Sequence, residues 1–241
     1  MFKRAKYKKL LVLVLLSFTS LLWYTSSFSH FKLNANIRLY HVVHEDGQIR
    51  LLARMPLAYL IADKLGSIQE DGLPAPAPYS TNLLIDDILN HKLDAATLRE
   101  DPKGLGQFFA DGTIIKISDK KLKPVVGRVV AYPLNKQKPF STLNEAESSL
   151  SSDVYNSDYK EAFIGDTIID IELVYSTNKK IKKYTIQSLL NPGLPKQEET
   201  ANLIIDHRNK KPNIYRITGL LDKSVNITNS AIKAFSTFVV N

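Results

Sequence analysis

The stretch that decides the fold reads IRLYHVVHEDGQIRLLAR and spans residues 37–54. Apolar and polar side chains alternate through residues 37–44 and again through residues 48–54, which is the period of a β-strand. The Asp46-Gly47 pair between the two runs is typical of a tight turn, because glycine accepts a positive φ angle. The sequence therefore predicts a β-hairpin here.

The same hairpin contains residue types that bind metal ions. Two imidazoles and two carboxylates lie within six residues, as His41, His44, Glu45 and Asp46. Residues three apart on a strand point to opposite faces, so His41 and His44 can bind one ion only if a bulge or turn reorients one of them. A hairpin tip is the simpler interpretation, and a metal site is the alternative.

Strand patterns recur along the rest of the chain. Residues 113–118 and 125–132 resemble a second pair of strands. Four further runs follow at roughly ten-residue spacing, which is typical of an antiparallel sandwich. These runs are DTIIDIELVYS, KKYTIQSLL, TANLIIDHR and NIYRITGLL. We therefore expect a mainly β fold, an antiparallel β-sandwich-like domain or domains with a few short helices, with an α+β fold as the alternative.

Helix signals are fewer. Asp94 is a candidate N-cap for a helix that ends near Asp101, with a short helical turn after it. In FSTLNEAESSL, either Ser141 or Thr142 can cap a second helix, with Glu145 at capping-box distance.

Two further patterns concern the surface and the end of the chain. Asp166, Asp170 and Glu172 alternate with apolar residues along one predicted strand, which indicates a solvated face. Residues 229–241 place apolar side chains on one face of a predicted C-terminal helix.

The N-terminus has the composition of an export signal. Basic residues within 3–9 precede an apolar run at residues 10–24, and Ser27 and Ser29 have the spacing read by a signal peptidase. The apolar run also fits an uncleaved anchor that associates with the membrane. Either alternative places the rest of the chain outside the cytoplasm, in the periplasm or at the cell surface.

These patterns divide the chain into three parts. Residues 1–29 form a signal peptide or N-terminal membrane anchor, residues 30–150 a β-hairpin-containing α+β region, and residues 151–241 an antiparallel β region with a C-terminal helix. One continuous domain over residues 30–241 is the alternative. Beyond residue 24 no apolar run approaches 18 residues, so we do not expect this chain to form a transport path by itself.

Composition excludes several classes of function. The chain has no cysteine, which excludes disulfides and thiolate metal sites. Five of its 32 Lys and Arg residues lie within residues 3–9, and the remaining 27 nearly balance 24 acidic residues, so no nucleic-acid partner is expected. Neither a nucleotide-binding loop nor a familiar hydrolase motif is present.

The histidines are the candidate metal ligands. Cleavage after Ser29 would leave His30 with both an α-amine and an imidazole, a pair that suits copper or nickel. We therefore consider His30, His41 and His44 as ligands, and Glu45 and Asp46 as weaker oxygen donors. Any such site must be assembled by the fold.

Four segments together resemble a known family. They are LYHVVHEDGQIRLLARMPLAYLIADKLG, HKLDAATLREDPKGLGQFFADG, PFSTLNEAESSL and AFSTFVVN. Together with the export-type N-terminal segment, these four segments resemble the extracytoplasmic N-terminal region of HupE/UreJ-type bacterial membrane proteins. The resemblance implies a soluble β-rich domain that leads into transmembrane helices, in a family associated with nickel or cobalt uptake. The membrane motif of that family is not present, so none of its ligands can be assigned to this chain.

Three functions are compatible with these patterns. We expect an exported, non-enzymatic accessory or interaction domain, with a membrane protein or a missing transmembrane portion as its partner and nickel or cobalt as its metal, if it binds one. The first alternative is an extracytoplasmic hydrolase that pairs a histidine with a carboxylate, such as His207 with Asp206 or His91 with Asp87. The second is a structural or adhesive sandwich.

Overall fold

A computed structural model describes residues 36–177 and 181–228. The N-terminal segment 1–29, His30 and the helix predicted for residues 229–241 lie outside these ranges. The described strands are β1 (Ile37–Glu45), β2 (Gln48–Pro56), β3 (Ser80–Ile85), β4 (Ile88–Leu93), β5 (Thr113–Ile117), β6 (Lys120–Lys121), β7 (Pro124–Pro133), β8 (Thr167–Ser176), β9 (Lys183–Ser188), β10 (Ala201–Asp206), β11 (Asn213–Thr218) and β12 (Val225–Thr228). The described α-helices are α1 (Ala58–Ile61), α2 (Ala95–Glu100), α3 (Pro102–Gly112) and α4 (Leu143–Leu150), and four single turns of 3-10 helix lie between the strands. The predicted mainly β fold with a few short helices is confirmed.

The predicted hairpin of β1 and β2 is confirmed at the centre of the largest sheet. The two strands pair without interruption from Leu39 opposite Arg54 to Glu45 opposite Gln48. Gly47 adopts a φ of +79° in the turn, the conformation that favours glycine. Because this register contains no bulge, alternate residues of β1 keep pointing to opposite faces.

Three sheets are present in the described part of the chain. The largest has the strand order β11-β10-β1-β2-β8-β7, the second has β12-β9-β5-β6, and β3 and β4 form a separate hairpin. One pairing departs from the antiparallel expectation, since β1 and β10 run parallel. Another prediction was wrong: β5 and β7 are not a pair, because β5 pairs with β9 and β7 with β8.

The inner face of the six-stranded sheet carries the main hydrophobic core. Tyr40 of β1 stacks on Phe109 of α3, with ring centroids 6.4 Å apart. Ile186 of β9 and Ile227 of β12 belong to the same buried cluster, so the second sheet shares this core. Burial of such side chains supplies most of the driving force for folding, at roughly 25 cal/mol per Å² of apolar surface.

The helical segment after Asp94 is longer than the sequence indicated. Asp94 caps α2 as predicted, since its carboxylate accepts from backbone N–H groups in the first turn. A short turn was expected next, yet the chain forms the 11-residue helix α3, capped by Asp101. The reason is tertiary: Leu105 and Phe109 are buried in the core, which stabilises a helix that contains several glycines.

Helix α4 covers the outer face of the same sheet. Leu150 and Ala146 pack with Leu52 and Phe140 in a second, smaller apolar cluster. The capping box that was predicted for this helix is confirmed, and Thr142 is its N-cap. The helix is thereby ordered at its first turn and apolar on the side that faces the sheet.

Replacing Thr142 by alanine is expected to lower the free energy of unfolding by about 1 kcal/mol, because the side chain that accepts from the Glu145 backbone N–H is lost. Ser141→Ala is the matched control, since Ser141 contributes its backbone N–H to the box, which alanine retains. Urea unfolding of both variants measures the difference. Equal losses from the two substitutions would contradict Thr142 as the cap.

The solvated face predicted for β8 was wrong. Asp170 and Glu172 are buried under α4, where arginines of neighbouring strands pair with them. Arg54 lies directly opposite Asp170 and binds it through two contacts of 2.7 Å. Arg50 and Arg128 donate to Glu172 at 2.8 and 2.7 Å. Alternation correctly placed these carboxylates opposite the apolar face, but the helix and the arginines that cover them come from distant segments.

Candidate functional site

The two histidines of the central hairpin point to opposite faces of the sheet. His41 is buried on the outer face, beside the ring of Phe140. His44 lies on the inner face, beside the ring of Tyr184 on the second sheet. The structure therefore does not bring His41 and His44 together, as the unbroken strand register requires.

His41 instead pairs with His207, which follows β10. The His41 Nε2 atom lies 2.9 Å from the carbonyl oxygen of Phe140, and its Nδ1 atom lies 2.9 Å from Nε2 of His207. Since a carbonyl only accepts, His41 donates from Nε2 and accepts at Nδ1, so His207 is the donor of the second bond. This tautomer links β1, β10 and the segment that leads into α4.

Burial disfavours the protonated form of both rings. It lowers the pKa of His41, against the opposing hydrogen bond to Phe140. Burial also lowers the pKa of His207, although the nearby Asp206 carboxylate acts in the other direction. Two adjacent imidazoles that cannot both accept a proton at low cost form an acid-sensitive contact.

His44 belongs to a separate ionic group on the inner face. Its Nε2 atom lies 3.0 Å from Oδ1 of Asp206, and Arg208 donates from Nε to Oδ2 of the same carboxylate at 2.7 Å. Burial opposes the ionisation of Asp206, but the bonds from His44 and Arg208 keep its pKa below the ordinary value. The group fixes the end of β10 against β1.

The remaining metal candidates have other partners. Glu45 pairs with Arg50 at 2.7 Å, and Asp46 is an exposed turn residue. His30 lies outside the described residues. Within the described ranges, no group of three or more histidine, aspartate or glutamate side chains has an arrangement that could hold a metal ion.

Neither histidine–carboxylate pair of the hydrolase alternative is hydrogen-bonded. The Asp206 carboxylate binds His44 and Arg208 rather than His207. His91 is buried in β4, where its Nδ1 atom lies 3.1 Å from the side-chain oxygen of Asn82, while Asp87 lies in the turn of the hairpin.

The feature that sequence reasoning missed is the β3–β4 hairpin, whose outer half is apolar on both faces. Its aliphatic side chains are exposed at 40% for Leu83, 52% for Leu84, 41% for Ile85 and 66% for Ile88. The base of the hairpin is anchored, since the Leu93 backbone N–H donates to the carbonyl of Ala162 at 2.8 Å. The outer half therefore presents aliphatic side chains to solvent on both faces, with Leu83, Ile85 and Ile88 together on one of them.

A signal for this hairpin was present in the sequence. The run NLLIDDILN, residues 82–90, is nearly symmetric about Asp86-Asp87, with aliphatic residues on each side. Both aspartates adopt left-handed backbone conformations, with φ angles of 49° and 60°, as a two-residue turn requires. Asp-Asp is a less familiar turn pair than Asp-Gly, so this run is a weaker hairpin signal than residues 37–54.

Comparison of the chain with models of known protein families and with curated proteins gives no match. No helix in the described part of the chain is both long and apolar enough to cross a membrane. The resemblance to HupE/UreJ-type proteins stays a prediction.

Proposed function

We propose that the protein is an exported, non-enzymatic interaction domain that binds another protein through the β3–β4 hairpin. The observation that carries this proposal is the set of four exposed aliphatic side chains within six residues, Leu83 to Ile88. Three of them, Leu83, Ile85 and Ile88, lie side by side on one face, and clustered exposed aliphatic side chains mark interaction sites more often than scattered ones do. The hairpin belongs to neither large sheet, so its tip can enter a groove without disturbing the core.

The export-type N-terminus supports an extracytoplasmic location for this interaction. The resemblance to the soluble region of HupE/UreJ-type proteins supports an accessory role beside a membrane protein. The histidines do not favour metal handling or catalysis over this role, because His41, His44 and His207 already satisfy one another or neighbouring groups.

A photo-crosslinking amino acid in place of Leu83, carried by the full chain in the producing cell, tests the proposal. We expect one defined crosslinked protein species in the extracytoplasmic fraction, identified by mass spectrometry. Adding Ile88→Thr should lower the crosslinking yield severalfold, because the most exposed aliphatic side chain of the hairpin is lost. The thermal midpoint should not change, since Ile88 is exposed and threonine retains strand propensity.

Val125→Thr is the matched control. Val125 is 65% exposed on the edge strand β7, almost the same exposure as Ile88, but it lies outside the hairpin. Its substitution should leave the crosslinking yield unchanged. No defined species at position 83, or equal effects of the two threonine variants, would refute docking through the hairpin.

A further inference from the structure

The aliphatic face of the hairpin continues into a cleft at its base. In the register of β3 and β4, Ile85 lies opposite Ile88 and Thr81 opposite Lys92. Side chains of opposite residues, and of every second residue along a strand, share one face. Leu83, Ile85 and Ile88 are therefore on the same face as Thr81 and Lys92, which line the cleft.

The cleft has a volume of about 310 Å³ and a net positive charge, because three cations and two carboxylates line it. Its two carboxylates are already engaged, since Asp94 caps α2 and Glu161 pairs with Lys92. Arg99 donates to the backbone carbonyl of Tyr155 at 2.9 Å. Within the described residues, neither Arg99 nor Lys160 has a carboxylate partner.

The tip of the same hairpin has the opposite charge. Asp86 and Asp87 are exposed in the turn, and neither forms an ion pair with another described residue. The hairpin thus ends in two carboxylates and has an aliphatic middle, and the cleft at its base holds two cations that lack a carboxylate partner among the described residues. Insertion into lipid is disfavoured, because the two carboxylates would enter the bilayer first.

We propose that the hairpin docks on the hairpin of a second copy of this chain, an inference that rests on the proposed function. If the aliphatic faces meet across a two-fold axis through their middles, the two hairpins run antiparallel. The carboxylates of Asp86 and Asp87 then lie beside Arg99 and Lys160 of the other copy, and the same contact is repeated by symmetry. The pattern of charge is self-complementary in this arrangement.

The size of the contact defines what kind of dimer it forms. A six-residue strand spans about 20 Å, so two hairpins and their bases bury an area at the low end of protein interfaces, roughly 1,200 Å² in total. The dimer is therefore reversible and depends on protein concentration.

Sedimentation velocity of the full chain in mild detergent, from low to high micromolar concentration, tests this dimer. We expect concentration-dependent dimerisation. The tip variant Asp86→Lys/Asp87→Lys and the cleft variant Arg99→Glu/Lys160→Glu should each weaken it about tenfold, because like charges then meet at both ends of the interface. An equimolar mixture of the two variants should recover dimers, since tip and cleft are again opposite in charge.

Two further variants protect the test against misfolding. Lys160→Glu alone avoids Arg99, whose side chain supports Tyr155. Asp86→Asn/Asp87→Asn removes the charge, while asparagine tolerates a positive φ. A monomer at every concentration, or no recovery on mixing folded variants, overturns the dimer. If the chain is monomeric while position 83 crosslinks to a different protein, self-docking fails and the proposed function stands; if neither contact occurs, both fail.

Discussion

Replacing Asp170 by asparagine is expected to lower the free energy of unfolding by about 3–5 kcal/mol, because Arg54 is then left as a buried charge without a counter-ion. Both side chains are buried under α4 and share two contacts of 2.7 Å. The Ser149 hydroxyl also donates to Asp170 at 2.6 Å, so the carboxylate joins the helix to the sheet. Urea denaturation followed by circular dichroism measures the loss.

The double variant Arg54→Met/Asp170→Leu distinguishes the electrostatic contribution of the ion pair from the packing of its two side chains. It should recover most of the lost stability, since buried ion pairs can be replaced by apolar side chains of similar volume at little cost. Lys196→Ala is the control, because it breaks the exposed ion pair of Lys196 with Glu199. It should change the free energy of unfolding by no more than about 0.5 kcal/mol. A loss below about 1 kcal/mol in Asp170→Asn would show that the pair is not desolvated.

Stability is expected to fall steeply as the pH drops below about 6.5, the ordinary histidine pKa. Burial lowers the pKa of His41, His91 and His207 in the folded state. The unfolded chain therefore takes up these protons at a higher pH than the folded chain, and acid favours unfolding. If all three rings stay neutral in the folded state, the free energy of unfolding changes by at most about 4 kcal/mol per pH unit.

Urea unfolding at a series of pH values measures this slope. Replacing His207 by glutamine should reduce it by about 1.4 kcal/mol per pH unit, because one proton fewer is taken up. A second loss is expected below about pH 4.5, since hydrogen bonds from Arg128 and Arg50 outweigh burial and lower the pKa of Glu172 to about 2. A stability that stays constant between pH 7 and about 5 would contradict neutral buried histidines.

Local patterns predicted much of this fold. The β1–β2 turn at Gly47, the N-cap at Asp94 and the capping box at Thr142 each depend on residues adjacent in sequence, so they were readable without the structure. The pairing of β1 with β10 was not readable, because it joins segments far apart in the chain. The same limit applied to Asp170, whose burial depends on Arg54 and α4.

The candidate site shows the same division. Strand geometry correctly separated His41 from His44, but no local pattern indicates that His207 lies beside His41. The aliphatic residues around Asp86 and Asp87 could have been read as a hairpin. The exposure of these aliphatic side chains depends on the lack of packing partners among the described residues, which cannot be predicted from local sequence.

The parallel pairing of β1 with β10 has a consequence for how the chain acquires its structure. Ile37 pairs with Ala201, so one edge of the central hairpin stays open until residues 201–206 have been made. Contacts of such long sequence separation slow folding, and open strand edges promote aggregation. A nascent chain of this protein therefore passes through a long aggregation-prone interval, during which a holding chaperone would preserve the edge that β10 later covers.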